Sequence, residues 1–264
     1  VIKSKITPKT KVIYTEAISN PLLEVADIRE LRKLADQHNI KLVIDNTFSP
    51  MIITPAKFGA HVVVNSLTKF INGSSDCVAG SISSTKEFIN SLMDVHSGAT
   101  MLLGPVLDSV RTASILKNLH TLHIRMKKHS ENAQYVAENL EKLGLRVFYP
   151  GLKSHPQHNL LTDMLNPGYG YGGMITFDTD SIENANNLMV KMQEELVGYF
   201  AVSLGFYKTL FSSPGSSTSS EIPKEEQIEM GMSDGLVRFS MGLDNDIEFS
   251  FNRIKKCLDR KSVV

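Results

Sequence analysis

Cysteine is scarce: Cys77 and Cys257 are the only two in 264 residues. They lie far apart and form no metal-ligand spacing, so a disulfide framework and a zinc site are not expected; reduced thiols are. A surplus of one charge is also missing, because 28 Lys plus Arg balance 28 Asp plus Glu. That gives no support for a nucleic-acid partner and leaves small-molecule chemistry open. No apolar run approaches the length of a membrane span, and no signal peptide is recognisable, so neither a membrane location nor secretion is expected. His120, His123 and His129 share one helical region but match no metal motif, and no metal is expected. Asn72-Gly73-Ser74 spells a glycosylation triplet but reads as a turn. No Ser/His/Asp order and no glycine-rich nucleotide loop stand out. Gly168 to Gly173 has no strand directly before it, which counts against a nucleotide-binding module.

What is present is organised around residues 41–84. The apolar run Lys41 to Ile44 ends in Asp45-Asn46-Thr47, and the run His61 to Val64 ends in Asn65-Ser66-Leu67-Thr68-Lys69. Both place polar groups directly after a buried strand, where open α/β sheets put their chemistry. Before them, a strand at 12–15 and an exit loop from Glu16 to Pro21 lead to a helix capped by Asp27, with Glu30 at capping-box spacing. Ile28, Leu31, Leu34 and Ala35 carry its helical period and Asn39 ends it. The strand–helix–strand unit is expected to be parallel and right-handed. A strand at 78–83, a short helix from Lys86 to Met93 and a loop over 94–105 follow. A long periodic region runs from Val106 to about Leu143, broken near Lys117–His120 and stopped by Gly144, and is suited to link two domains. The second half reads as α+β: strands at 145–148, 173–177 (alternating), 201–204 and 236–241, and helices at 181–196 and 245–260. Loops are expected over 151–172 and 212–220. There is no internal repeat.

Four positions carry candidate chemistry. Lys69 follows a Ser-x-Thr unit and precedes Phe70 and Ile71; a lysine with apolar neighbours can be desolvated and made nucleophilic. A solvated surface lysine is the alternative. Asp45 could hold a pyridinium nitrogen or serve as an ordinary loop carboxylate. Ser66 and Thr68 offer hydroxyls to a phosphate, or bond their own turn. Arg238 lies inside an apolar strand, where a guanidinium needs a partner: either a substrate carboxylate or an internal salt bridge.

The strings Ser19-Asn20-Pro21, Val43-Ile44-Asp45-Asn46-Thr47-Phe48, Ser66-Leu67-Thr68-Lys69-Phe70-Ile71-Asn72-Gly73 and Ser203-Leu204-Gly205 occur in that order. So do Thr121-Leu122-His123-Ile124-Arg125-Met126, Tyr149-Pro150-Gly151 and Val237-Arg238-Phe239-Ser240-Met241-Gly242. Together they resemble the cysteine/methionine-metabolism family of pyridoxal-phosphate enzymes, which includes cystathionine and methionine lyases, cystathionine γ-synthase and O-acetylhomoserine sulfhydrylase. The resemblance implies an α/β, three-layer, aminotransferase-like (fold type I) large domain, present in part over 1–118. A smaller α+β C-terminal domain would cover 119–264.

It implies that Lys69 binds pyridoxal 5′-phosphate and moves protons. Asp45 would partner the pyridine nitrogen, Ser66 and Thr68 the phosphate, and Asn20 the ring oxygen and the substrate carboxylate. Arg238 would clamp that carboxylate with Ser203 beside it. The implied activity is methionine γ-lyase-like: α,γ-elimination from methionine or a related sulfur amino acid to a thiol, 2-oxobutanoate and ammonia. Cystathionine γ-lyase or γ-synthase, O-acetylhomoserine sulfhydrylase, and an inactive structural fragment are the alternatives. A cytoplasmic homo-oligomer, a dimer of dimers with shared sites, is expected. Asn65 and Ser74 stand where many members have histidine, and residues 213–220 depart from the family's loop. The chain begins at Val1, and about the first third of the family's length is absent. A piece of a longer enzyme is therefore expected.

Overall fold

The computed structural model of the protein describes residues 2–215 and 222–258, and its architecture is two sheets joined by helices. The first sheet has four strands in chain order: β1 (Val12–Glu16), β2 (Lys41–Asp45), β3 (Val62–Ser66) and β4 (Gly80–Ser83). The first three are parallel and the fourth is antiparallel. Glu16 pairs with Asp45, and Asp45 with Val64, so the three parallel strands finish at one edge. That edge is where the expected site residues begin.

The β1–β2 crossover forms for the reasons its residues suggest. Asp27 Oδ1 accepts from Glu30 N at 3.0 Å and starts the helix Ile28–Gln37, whose Ile28 and Ala35 are fully buried against the sheet. Only half of the capping box is made, because the Glu30 carboxylate pairs with Lys33 at 2.6 Å instead. Asn39 then takes a left-handed φ of 52°, a conformation asparagine tolerates at a helix end. Leu42 and Ile44 of β2 are fully buried, and burying a side chain of that size is worth roughly 1.5–3 kcal/mol.

The second sheet is made of β5 (Val147–Phe148), β6 (Met174–Asp178), β7 (Tyr199–Phe200), β8 (Leu210–Ser212) and β9 (Leu236–Ser240), in the order β5-β6-β9-β8-β7. Only β7 and β8 run parallel there. Helix Leu122–Lys142 serves both cores. Its Leu122 and Met126 pack under the first sheet, and Ala133, Val136, Ala137 and Leu140 under the second.

Several expectations are corrected. The strand expected at 201–204 is a loop, and β7 lies just before it. Ser203 gives its hydroxyl and its carbonyl to Lys69 and Arg238 instead of to a ladder, and Ala201 N donates to Phe211 O. Strand β6 does not alternate, because both its faces are covered: Ile175 and Phe177 sit in the second core, while Thr176 donates to Pro21 O at 2.7 Å. Short helices Ala99–Leu103 and His158–Thr162 interrupt the loops expected at 94–105 and 151–172. Strand β8 and helix Lys224–Glu229 were not anticipated. Of the loop expected at 212–220, Ser212 closes β8, and residues 216–220 lie outside the described residues. The long periodic region divides into helices Ser109–Leu119 and Leu122–Lys142, broken at His120–Thr121. Among the described residues no helix is long and apolar enough to cross a membrane.

Candidate active site at the strand ends

Glu16, Asp45 and Ser66 are the last residues of β1, β2 and β3. The exits are tied together: Thr47 Oγ1 accepts from Ser66 N at 2.8 Å, and Asp45 Oδ1 accepts from Thr47 N at 2.9 Å. Beyond β3 the chain enters a wide helical turn, Leu67–Ile71, closed by Asn72 N donating to Leu67 O at 2.9 Å. Lys69 sits inside this turn with non-helical angles, φ −88° and ψ −132°. Such i→i+5 turns concentrate at functional sites because they redirect one side chain out of the helical row.

From there a chain of polar contacts crosses to the second sheet. Lys69 Nζ donates to Ser203 Oγ at 3.0 Å. Ser203 O accepts from Arg238 Nη2 at 3.3 Å, and Arg238 Nη1 donates to Asn20 Oδ1 at 3.0 Å. Asn20 N in turn donates to Glu16 Oε2 at 3.0 Å, returning to the end of β1. Lys69, Ser203, Arg238 and Asn20 are thus brought together, although 218 positions separate Asn20 from Arg238. The approach depends on Gly205. A Cβ there would lie 2.3 Å from Phe70 N, and its φ of +75° suits glycine.

The electrostatics follow from burial. Lys69 is half-buried, and desolvation first, then the nearby Arg238 cation, lowers its pKa. Arg238 is 2% exposed, and burial brings its guanidinium down from 12.5 to about 10. Among the described residues no carboxylate pairs with it, so the internal salt bridge considered as its alternative is absent. Its partners are a neutral amide oxygen and a main-chain carbonyl, and its positive charge stays uncompensated. Glu16 is raised by burial and by Asp45, with the Asn20 bond acting in the opposite direction.

The other expected residues are placed less directly. Asp45 lies at the neighbouring strand end and accepts from Tyr14 O–H at 2.8 Å. Thr68 Oγ1 accepts from Ala79 N at 3.0 Å, a turn role, yet Thr68 and Ser203 both line a cavity of about 760 Å³ walled by Cys77, Val106 and Arg111. Ser66 contributes its main-chain N–H to the strand-end network. His120 and His123 are exposed while His129 is buried, and no group of three or more His, Cys, Asp or Glu among the described residues could hold a metal.

Sequence reasoning missed Tyr14, Glu16, Arg125 and His129 as parts of this region. Tyr14 and Glu16 lie two apart in β1, hence on one face, which is the signal that could have found them. Arg125 and His129 bond main-chain carbonyls and leave no such pattern.

Comparison with known proteins finds one family. The family model "Cys/Met metabolism PLP-dependent enzyme" matches residues 1–251. The chain is 43% identical over 253 residues to a methionine gamma-lyase of Arabidopsis thaliana, covering 96% of this chain and 57% of that protein. It is 39% identical over 266 residues to a cystathionine beta-lyase of Lactococcus lactis, covering 98% of this chain and 67% of that protein. A crystal structure described as an O-acetylhomoserine (thiol)-lyase of Campylobacter jejuni, carrying N′-pyridoxyl-lysine-5′-monophosphate, superposes with a TM-score of 0.88. It is 27% identical and covers 97% of this chain and 68% of its own. The chain therefore spans between 57% and 68% of the length of these three relatives.

Proposed function

The chain belongs to the Cys/Met-metabolism family of PLP-dependent enzymes, and from that premise we propose that the intact protein is a carbon–sulfur lyase acting on a sulfur amino acid. The observation that carries this is the Lys69–Ser203–Arg238 arrangement: a half-buried amine beside an uncompensated, buried guanidinium. An amine of lowered pKa suits an aldehyde, and a buried cation suits a carboxylate.

The residues present fit pyridoxal 5′-phosphate by the chemistry of their donor set. Lys69 would hold its aldehyde carbon, Asp45 its ring nitrogen, and Ser66 and Thr68 its phosphate. Asn20 would serve the ring oxygen and the carboxylate end of the substrate. When bound, the cofactor supplies an electron sink for the substrate carbons. The chain's own residues supply aim and proton movement. Arg238, steadied by Asn20, would fix the substrate carboxylate and so direct the Cα–H bond at Lys69. Lys69 Nζ would take the proton from Cα, and a second from Cβ when the leaving sulfur is on the γ carbon. Ser203 would hold Lys69 between these two positions.

Within this class we favour α,γ-elimination in which methionine and one water give methanethiol, 2-oxobutanoate and ammonia, supported by the 43% identity to the Arabidopsis methionine gamma-lyase. The 39% identity to a Lactococcus cystathionine beta-lyase favours β-elimination from cystathionine as the second reading. An oligomer with shared sites, a dimer of dimers, is part of the proposal. Its support is the apolar rim beside the cavity, where Leu103, Val106 and Val110 are strongly exposed. Two buried free thiols, Cys77 and Cys257, suit a cytoplasmic location. Supplying the intact protein with methionine and with cystathionine separates the readings. 2-Oxobutanoate from methionine supports the first, and pyruvate from cystathionine alone supports the second. No keto acid from either would leave an inactive protein on this fold.

A further inference from the structure

The wide turn that carries Lys69 ends with carbonyls that its own backbone cannot satisfy. Lys69 O is taken by Gly73 N at 2.8 Å, but Phe70 O and Ile71 O point beyond the last helical N–H. Arg125, from the first turn of helix Leu122–Lys142, fills that gap. Its Nη1 donates to Phe70 O at 2.6 Å, and its Nη2 donates to Ile71 O at 2.8 Å and to Asn118 O at 3.0 Å. Its Nε donates to Thr121 Oγ1 at 3.1 Å. These partners are all neutral, and none is a side-chain carboxylate. A cation spanning the carbonyl end of a helical turn meets both the unpaired lone pairs and the negative end of the peptide dipoles.

The surroundings make this fit tight. A Cβ at Gly73 would lie 2.6 Å from Arg125 Nη1, and Gly73 has a φ of +72°, so the loop clears room for the guanidinium. Asn118, which gives its carbonyl to Arg125, donates through Nδ2 to Asn72 Oδ1 at 2.8 Å, and Asn72 Nδ2 donates to Asp76 Oδ1 at 2.7 Å. On the other side, Gly205 presses against the Lys69–Phe70 main chain, and the His129 ring meets Phe70 edge-on at 5.1 Å. We propose that Arg125 is a positioning residue that caps the Lys69 turn and holds Nζ in its half-buried place beside Ser203 and Arg238. The inference rests on Lys69 being the reacting amine of the proposed function.

The fork of the guanidinium is essential, because one ammonium cannot span the carbonyls of Phe70, Ile71 and Asn118 together. Arg125→Lys keeps the charge and loses the span, so its effect reports position and not net charge. A loosened turn lets water reach Nζ, and the charged group acting on Nζ, Arg238, no longer faces it at a fixed distance. The test is competitive acylation, over a pH range, of the lysines of the intact protein freed of cofactor so that the Lys69 amine is available, with Lys69 followed by peptide mass spectrometry. This readout needs no bound cofactor.

In the parent, Lys69 should react with a midpoint below that of exposed lysines. In Arg125→Lys the midpoint should rise by about 0.5 pH units or more, with the circular dichroism spectrum unchanged. Thr121→Ala, at an exposed residue, removes the Nε acceptor and the Oγ1 bond to Asn118 O at 3.1 Å while leaving Arg125 itself in place, and should move the midpoint the same way by less. It carries the test if Arg125→Lys does not fold. A Lys69 profile unmoved in the folded variants overturns the positioning role. A parent Lys69 that reacts like any exposed lysine overturns the proposed function itself.

Discussion

Arg238 Nη1 donates to Asn20 Oδ1 at 3.0 Å, so a strand of the second sheet is held to the loop that leaves the first. Asn20 is itself fixed by Glu16, the last residue of β1. The guanidinium therefore meets the lysine end of the molecule already oriented, with its plane set by an amide on one nitrogen and by Ser203 O on the other.

Arg238→Lys should separate substrate binding from cofactor binding. Lysine keeps a positive charge in the same buried place but loses the planar fork that grips a carboxylate at two points. KM for the amino-acid substrate should rise about 10- to 100-fold, while the pyridoxal phosphate dissociation constant moves less than about threefold. Steady-state kinetics and a cofactor titration on the same preparation check this. A larger change in cofactor affinity than in KM would place Arg238 on the wrong ligand.

His129 should make the protein acid-sensitive in a defined window. Its ring is fully buried, with Nδ1 donating to Met241 O at 2.6 Å and Nε2 without a partner among the described residues. Burial chiefly, with Arg125 adding and the Met241 bond opposing, lowers its pKa from 6.5 to about 4. Between those values the unfolded chain binds the proton and the folded chain does not. The stabilisation is therefore complete above about pH 6.5 and is lost as pH falls toward 4, on the order of 3 kcal/mol in all. His129→Gln removes the titrating ring, so the fall in Tm between pH 7 and pH 4.5 should be smaller than in the parent. Equal falls in both proteins would contradict this.

Much of the first sheet was legible because its signals are local. Apolar runs such as Leu42 to Ile44 end abruptly in a carboxylate or a Ser-x-Thr-Lys unit, and a strand end is the simplest structure that does this. Asp27 and Asn39 bracket their helix by side-chain and backbone preferences that act within a few residues. The second sheet was harder. Residues 201–204 are apolar enough for a strand, but the contacts of Ser203 to Lys69 and Arg238, and of the following Gly205 to Ser240, hold the segment as a loop. No spacing rule joins Lys69 to Ser203 across 134 positions; only the family resemblance pointed to Ser203 as a neighbour. Arg125 and His129 stayed hidden for a different reason. Their partners are carbonyl oxygens, which every residue possesses, so neither the donor nor its neighbours stand out in composition or period.

The most direct test of the account is chemical capture of the cofactor on its lysine. The intact protein would be incubated with pyridoxal 5′-phosphate, reduced with borohydride, digested and read by peptide mass spectrometry, beside Lys69→Ala. The account predicts one stoichiometric pyridoxyl adduct on Lys69, no adduct at saturating cofactor in Lys69→Ala, and the same circular dichroism spectrum for both. An adduct on a different lysine, or none on Lys69 in the folded parent, would contradict it.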